Sequence, residues 1–205
     1  MNLPNKITVG RMFGTLIFVM IAIIANDKLL MDFGLEQEAA ENTRLALRVF
    51  GFVLMAVCGF SDILDGYIAR KYNLITDFGK LMDPLSDKIY VMAGFIVIMA
   101  DGHIHPSIVI IILAREFAVT GLRGLAANKG EVIAASNVGK LKTIFQMSIM
   151  GVGGLYWAGL IPETGTIADV VKWIWWALLA FITIFTLYTG VDYFWKARSL
   201  YMKDT

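Results

Sequence analysis

Six apolar stretches, each close to the length of a bilayer-spanning helix, divide this chain of 205 residues. A helix needs ~20 apolar residues to cross the hydrocarbon core of a membrane. Only 17% of the residues are charged, against ~25% in a soluble domain, and this difference excludes an ordinary soluble protein. We therefore predict an all-α integral membrane protein with six transmembrane helices in a single domain, residues 1–205. The predicted spans are Met12–Ala25, Arg44–Arg70, Phe78–Ala100, Ile108–Ala126, Lys140–Leu160 and Ile167–Lys196.

The segment before the first span is polar and carries Lys6 and Arg11. Asn2 can cap a helix and Pro4 fits its first turn, so we expect a short N-terminal juxtamembrane helix ahead of the span. Ala22 and Ala25 have the wrong spacing for a signal-peptide cleavage site, and the first span is therefore expected to be retained. An even number of spans places both termini on the same side of the membrane.

The distribution of Lys and Arg predicts which side that is, because cytoplasmic segments of membrane proteins are enriched in them. With a cytoplasmic N-terminus, the basic residues on the outer side are few: Lys28, Arg44, Arg48 and Lys172. The acidic residues collect in the outer loops instead, and both termini are therefore predicted to be cytoplasmic. Aromatic residues near the ends of the last span are typical of interfacial belts: Trp173, Trp175, Trp176, Tyr193 and Trp195.

Cysteine and histidine carry little information in this chain. The single cysteine, Cys58, lies in an apolar run and excludes a disulfide framework. His103 and His105 share one short loop, where their spacing could bind a metal, but an ordinary polar loop is the favoured interpretation.

Four aspartates recur at helical spacing where two apolar stretches meet. Asp62 and Asp65 lie three residues apart, and Asp83 and Asp87 lie four apart, so each pair shares one helix face. Ionisable groups at the ends of apolar helices usually indicate function. Two helices that face each other across these pairs would gather four carboxylates at the cytoplasmic end.

Such a cluster has the chemistry of a site for hard cations. Four carboxylates without nearby His or Cys favour Mg2+ or Mn2+, and two ions ~3.5–4 Å apart could hold a pyrophosphate and stabilise attacking and leaving oxygens. Gly66, Ala69 and Gly79 remove side-chain bulk beside the aspartates, where a ligand or a facing helix must approach closely. Arg70 offers a planar donor fork suited to phosphate, with simple anchoring at the inner membrane face as the alternative.

The full spacing of this segment is Asp62-x2-Asp65-Gly66-x2-Ala69-Arg70-x8-Gly79-x3-Asp83-x3-Asp87. It resembles the signature of the CDP-alcohol phosphatidyltransferase family, with no position missing. The resemblance implies an enzyme of the bacterial cytoplasmic (inner) membrane whose active site faces the cytoplasm. It implies that Asp62, Asp65, Asp83 and Asp87 bind Mg2+ or Mn2+, with two ions expected, and that Asp87 also deprotonates the acceptor hydroxyl.

The same resemblance implies the residues that bind the CDP-activated lipid: Asn5, Thr8, Asp62, Asp65, Gly66, Ala69, Arg70 and Gly79. The expected partners are the lipid bilayer and a second copy of the chain in a homodimer, without nucleic acid.

Further segments favour glycerol 3-phosphate as the acceptor: Asn2–Arg11, Ala114–Arg123 and Gly139–Thr143 resemble family members that use it. Arg115 and Arg123 lie in the fourth predicted span, while Lys140 and Lys142 enter the fifth. Four cations at one leaflet favour a phosphorylated acceptor, and an intramembrane arginine such as Arg115 needs a partner or a polar cavity. Glu116 directly follows Arg115, so we do not expect it to be that partner.

The implied reaction transfers the phosphatidyl group from CDP-diacylglycerol to sn-glycerol 3-phosphate, with CMP leaving. Inositol phosphate, serine or phosphatidylglycerol remain open as acceptors. Two other classes remain, a divalent-cation channel or transporter and a structural membrane subunit. The acids cluster at one end of the spans, which argues against an ion path, and CMP release would separate the enzyme from both.

Overall fold

The computed structural model describes residues 2–72, 74, 76–129, 137–162 and 164–198, with the side chains of Ile63, Arg70 and residues 137–143 left outside the description. Every regular element in these ranges is an α-helix, as predicted. In chain order the helices are α1 (Leu3–Ile24), α2 (Asp27–Asp32), α3 (Gln37–Lys71), α4 (Asp77–Ala100), α5 (Pro106–Asn128), α6 (Asn137–Trp157) and α7 (Thr166–Lys196).

Local chemistry accounts for where the helices around the aspartates begin. The Asn2 side chain accepts a hydrogen bond from the backbone N–H of Asn5 at 3.2 Å, and Pro4 lies in the first turn of α1. Thr76 caps α4 in the same way, accepting from the N–H of Gly79 at 3.0 Å. These caps fix the first turns of the two helices that carry Asn5 and Gly79.

Three helices in the described part of the chain, α1, α3 and α7, are long and apolar enough to cross a membrane. Charged residues interrupt the apolar character of α4, with Asp83 and Asp87, and of α5, with Arg115 and Arg123. The chain is therefore a membrane protein by its helices, while six spans and the orientation of the termini stay predictions.

Three predicted details are wrong. The expected separate juxtamembrane helix does not occur, because α1 runs without interruption from Leu3 to Ile24 and neither a proline nor a capping residue breaks it after Pro4. The acidic segment between the first two predicted spans, expected to be a loop, contains α2, whose start is capped by the Asn26 side chain. The next helix begins at Gln37, before the predicted Arg44.

The chain divides into two compact units. The N-terminal unit consists of Met1–His103 and Gly153–Pro162, and the C-terminal unit consists of Ile104–Val152 and Glu163–Thr205. In the N-terminal unit α1 packs against α3 and α4, and in the C-terminal unit α5 packs against α7.

Close helix packing holds the N-terminal unit together. A Cβ added at Gly14 would lie 2.6 Å from the Sγ of Cys58, so α1 and α3 approach more closely there than any larger residue allows. Further along α1, the rings of Phe18 and Trp157 meet edge to face at 5.3 Å. Large apolar side chains on the other side of α1, such as Phe13 and Met20, are more than half exposed, as expected of a face toward lipid.

A polar cluster closes the end of the N-terminal unit that is remote from the aspartates. The guanidinium of Arg48 donates two hydrogen bonds to the Asp101 carboxylate, at 2.6 and 3.0 Å, and one to the carbonyl of Trp157 at 3.0 Å. His103 Nε2 lies 3.0 Å from Asp101. Burial raises the pKa of Asp101, but the hydrogen bonds from His103 and Arg48 outweigh it and hold the pKa below its usual value.

Candidate active site

One face of α1 buries polar side chains where a soluble helix would bury apolar ones. Asn5, Thr8, Arg11 and Thr15 are each at most 6% exposed. They follow one another at intervals of three or four residues, which is the spacing of one helix face. Since the opposite face suits lipid, this polar stripe is the side of α1 that faces α3 and α4.

Arg11 connects both aspartate helices to α1. Its Nη1 forms an ion pair with Asp62, its Nη2 lies 3.6 Å from Asp65 Oδ2, and its Nε donates to the Ser86 hydroxyl of α4 at 3.0 Å. The Arg11 side chain is 1% exposed, while that of Asp65 is 7% and that of Asp62 is 39% exposed. A single buried cation therefore organises the first aspartate pair.

Two buried polar atoms of this contact lack a hydrogen bond. Asp65 Oδ2 and Arg11 Nη2 are buried, yet within the described residues neither has a partner at hydrogen-bond distance. A buried carboxylate oxygen without a hydrogen bond is costly, and native proteins usually satisfy such atoms with water, an ion or a ligand. The oxygen-rich donor set around Asp65 thus fits a divalent cation.

Asp83 of the second aspartate pair is held from α1 through Thr8. The Thr8 hydroxyl donates to Asp83 Oδ1 at 2.8 Å, and Thr8 itself is 1% exposed. Asp87 lies one turn further along α4 and is half-buried. Asp62 and Asp83 are both near enough to act electrostatically on Asp65, so the two pairs belong to one acidic region.

Within the residues the structure describes, no three His, Cys, Asp or Glu side chains form a ready cluster for a metal ion. Three of the aspartates lie in two separate contacts, Asp62 and Asp65 with Arg11 and Asp83 with Thr8. The Arg11 guanidinium supplies positive charge to Asp62 and Asp65.

Gly79 lies where three polar side chains converge. The Thr76 hydroxyl donates to Asn5 Oδ1 at 3.0 Å. A Cβ added at Gly79 would lie 3.1 Å from Asn5 Oδ1, 3.3 Å from Thr76 Oγ1 and 3.7 Å from Asp83 Oδ2. A larger residue would therefore press on Asn5 and on the cap of α4.

The remaining residues of the spacing lie on the last turns of α3. Gly66 and Ala69 are half-buried after Asp65, whereas the side chain of Arg70 lies outside the described residues. Asp77, which is off the spacing, is exposed and accepts from Lys80 Nζ at 2.8 Å; this hydrogen bond lowers its pKa.

The predicted acceptor residues Arg115 and Arg123 lie in the C-terminal unit, on α5. Arg115 Nη1 is 3.3 Å from Glu116 Oε1, so the expectation that Glu116 cannot be its partner is wrong. Neighbouring residues diverge by about 100° around a helix, but two long side chains can still bend toward each other. The side chains of Lys140 and Lys142 lie outside the described residues.

The sequence interpretation missed two residues that organise charges. Arg11 resembles an ordinary inner-side anchor because it precedes an apolar run, and its signal was the helical spacing from Asn5 and Thr8. Tyr193 was assigned to an interfacial belt, but it is 3% exposed and contacts both arginines of α5. Its own sequence pattern, an aromatic residue near a helix end, gave no indication of this.

The fold and site define a helical membrane protein with an acidic region whose oxygen donors fit a divalent cation. The model of the CDP-alcohol phosphatidyltransferase family matches residues 1–185. The chain belongs to this family.

Relatives cover nearly the whole chain. A Bacillus subtilis (strain 168) protein named CDP-diacylglycerol–glycerol-3-phosphate 3-phosphatidyltransferase is 38% identical over 197 residues, which is 95% of this chain and 94% of the relative. A Rickettsia typhi protein of the same name is 34% identical over 202 residues, covering 98% of each.

Proposed function

We propose that this chain transfers the phosphatidyl group from CDP-diacylglycerol to sn-glycerol 3-phosphate, giving phosphatidylglycerophosphate and CMP. The observation that carries the proposal is the acidic region of α3 and α4, organised by the polar stripe of α1, in a chain that belongs to the CDP-alcohol phosphatidyltransferase family. The names of the relatives that align over nearly the whole chain support the same donor and acceptor.

The family is generally dependent on a divalent metal. Asp62, Asp65, Asp83 and Asp87 would hold Mg2+ or Mn2+, with two ions in the proposal. The buried Asp65 oxygen without a hydrogen bond supports this assignment. When bound, the ions would neutralise the pyrophosphate of the donor and stabilise the departing CMP.

The nucleotide end of the donor is assigned to Asn5, Thr8, Gly66, Ala69, Arg70 and Gly79. The burial of Asn5 and Thr8 next to Asp83 and Gly79 supports the α1 part of this set, because polar groups buried in a membrane protein usually serve a ligand or a partner helix.

Asp87 is proposed as the general base. Its carboxylate takes the proton of the acceptor hydroxyl, whose oxygen then forms a bond to the lipid-linked phosphorus as the bond from that phosphorus to the CMP oxygen breaks. Arg11 contacts Asp62 and Asp65 and Thr8 contacts Asp83, so α1 positions three of the four aspartates around the proposed base.

The acceptor phosphate is assigned to Arg115, Arg123, Lys140 and Lys142. Arg115 supports the assignment, since its side chain is 8% exposed and its Nε is buried without a hydrogen-bond partner among the described residues. A dianionic phosphate can satisfy such a donor with a charge-assisted hydrogen bond.

The same proposal includes the arrangement in the membrane. We place one catalytic domain, residues 1–205, in a bacterial cytoplasmic membrane as six spans with both termini and the active site on the cytoplasmic side, and we propose a homodimer. The family match across residues from both units supports a single domain.

The test is an acceptor panel with the purified full-length chain. CMP release is measured with CDP-diacylglycerol, Mg2+ or Mn2+, and glycerol 3-phosphate, inositol phosphate, serine or phosphatidylglycerol. Glycerol 3-phosphate should support the fastest release. Release with another acceptor and none with glycerol 3-phosphate would overturn the acceptor, and no release with any of them would overturn the enzyme.

A further inference from the structure

Tyr193 joins the two arginines of the C-terminal unit. The Arg123 Nη2 donates a hydrogen bond to the Tyr193 hydroxyl, and the Arg123 Cζ lies 5.2 Å from the centre of the Tyr193 ring. The Cζ of Arg115 lies 5.5 Å from the same ring. Tyr193 itself is 3% exposed, whereas Arg115 is half-buried and Arg123 is exposed, so the tyrosine is the buried side of these contacts.

This arrangement brings together two cations that α5 alone would keep apart. Arg115 and Arg123 are eight residues apart, a rise of about 12 Å along the helix axis. The electron-rich face of an aromatic ring attracts guanidinium groups and offsets part of their mutual repulsion. Tyr193 therefore contacts both guanidinium groups with one ring.

Gly190, one turn before Tyr193 on α7, lies against the side chain of Arg115. A Cβ added at Gly190 would lie 3.2 Å from the Arg115 Cγ, closer than most Cβ contacts in proteins. The absence of a side chain at this position lets the stem of Arg115 lie against α7. Two positions of α7 thus determine where Arg115 lies.

The contacts with Tyr193 do not use every N–H donor of the two arginines. Arg115 contacts Glu116 through Nη1, but its Nε is buried without a hydrogen-bond partner within the described residues. In the contacts of the described residues, two guanidinium groups accompany one carboxylate, so positive charge is in excess there. An anion with several acceptor oxygens, such as a phosphate monoester, complements both features.

We infer that Tyr193 is a positioning residue that fixes Arg123 and Arg115 for the phosphate of the acceptor. The inference rests on the proposed function and extends it to a residue beyond 1–185, the part of the chain that the family model matches. Tyr193 acts through the arginines and not on the reacting atoms.

The first test is Tyr193→Phe, which keeps the ring and removes the hydroxyl that holds Arg123. The loss of one hydrogen bond to a charged group should raise the KM for glycerol 3-phosphate about tenfold or more, while the KM for CDP-diacylglycerol and kcat stay near those of the wild type. Tyr188→Phe, at a residue of α7 that is 66% exposed, is the matched control and should change neither KM. Equal changes in both KM values for Tyr193→Phe, or no change in either, would overturn the inference.

Gly190→Ala gives a second test with a different mechanism. The added methyl should displace Arg115 and raise the KM for glycerol 3-phosphate severalfold, again without a change for the donor. Gly151→Ala, where an added Cβ meets nothing within 4 Å, is its control. A donor KM that rises in parallel with the acceptor KM would contradict a role confined to the acceptor.

A binding measurement separates this inference from the proposed reaction. Inorganic phosphate should raise the melting temperature of the purified wild type and of Tyr188→Phe, and raise it less for Tyr193→Phe. An equal shift for Tyr193→Phe, or none for the wild type, would overturn the inference even if CMP release proceeds. A lack of CMP release with glycerol 3-phosphate would instead defeat the proposed function.

Discussion

Replacement of Arg11 tests whether a single buried cation holds the N-terminal unit together. In Arg11→Met the side chain keeps its apolar stem but loses its contacts with Asp62, Asp65 and Ser86. Asp65, whose side chain is 7% exposed, would then be a buried carboxylate without its cation.

The size of the effect follows from that burial. Removal of one partner from a buried ion pair costs about 3–5 kcal/mol. Asp62 is 39% exposed and stays hydrated, so only the Asp65 contact counts in full and a loss near the lower limit, about 3 kcal/mol, is expected. In a chain of this size that corresponds to a fall of roughly 6–12 °C in melting temperature.

The assay is thermal unfolding of purified protein in detergent without divalent cations, followed by the same scan with Mg2+. Arg11→Lys should lose less than Arg11→Met, because an ammonium keeps the charge but cannot reproduce three directed contacts. Mg2+ should recover part of the loss in Arg11→Met, since the released carboxylates can bind the ion in the folded state.

Lys6→Met is the matched control, because it removes a cation from an exposed position of the same helix. Its melting temperature should stay within about 2 °C of the wild type. An Arg11→Met protein as stable as Lys6→Met would refute the reasoning, because the buried contact would then contribute nothing to stability.

Three further predictions concern the catalytic and remote parts of the chain. Asp87→Asn should abolish most CMP release while the exposed Asp77→Asn stays active, as measured in the acceptor assay; similar activity in both would remove Asp87 from the mechanism. Arg48→Met should lower the free energy of unfolding by about 1–3 kcal/mol, as measured in a thermal scan. Because the pKa of Asp101 is lowered in the folded protein, the stability that this carboxylate adds to the wild type should be present above about pH 4 and lost as the pH falls through the folded pKa. Equal acid sensitivity of the wild type and the Arg48→Met protein would contradict this prediction. Arg123→Lys should raise the KM for glycerol 3-phosphate about tenfold without affecting the donor KM; an unchanged acceptor KM would show that the planar donor fork is not needed.

The sequence predicted the helices and the placement of the aspartates well. Within a membrane, the backbone N–H and C=O groups of a long apolar stretch find hydrogen-bond partners inside the stretch only when it forms a helix. The helical class therefore followed from composition and length alone. The intervals between Asp62, Asp65, Asp83 and Asp87 determined which of them share a helix face, and the structure has each pair on one helix, α3 and α4.

The contacts between helices were harder to predict, because a sequence interval carries information about one helix only. Arg11 and Arg48 both read as charges near the ends of apolar runs. In the structure each instead pairs with a carboxylate that is more than 50 residues away in the chain. Tyr193 contacts Arg123, which is 70 residues away in the sequence, and no local sequence pattern predicts such a contact.

The two arginine contacts of the N-terminal unit have different consequences because their surroundings differ. Arg48 and Asp101 form a matched pair of charges with two hydrogen bonds between them, about 21 Å along α3 from the aspartates. Arg11 brings one positive charge to two aspartates on α3, and Asp83 of α4 adds a further negative charge to the same region. The remote pair therefore needs no further ion, whereas the acidic region retains an excess of negative charge that repels itself and is relieved by a divalent cation. An arginine thus stabilises helix packing at one end of the unit, while at the other end an arginine helps to form a site whose completion depends on a ligand.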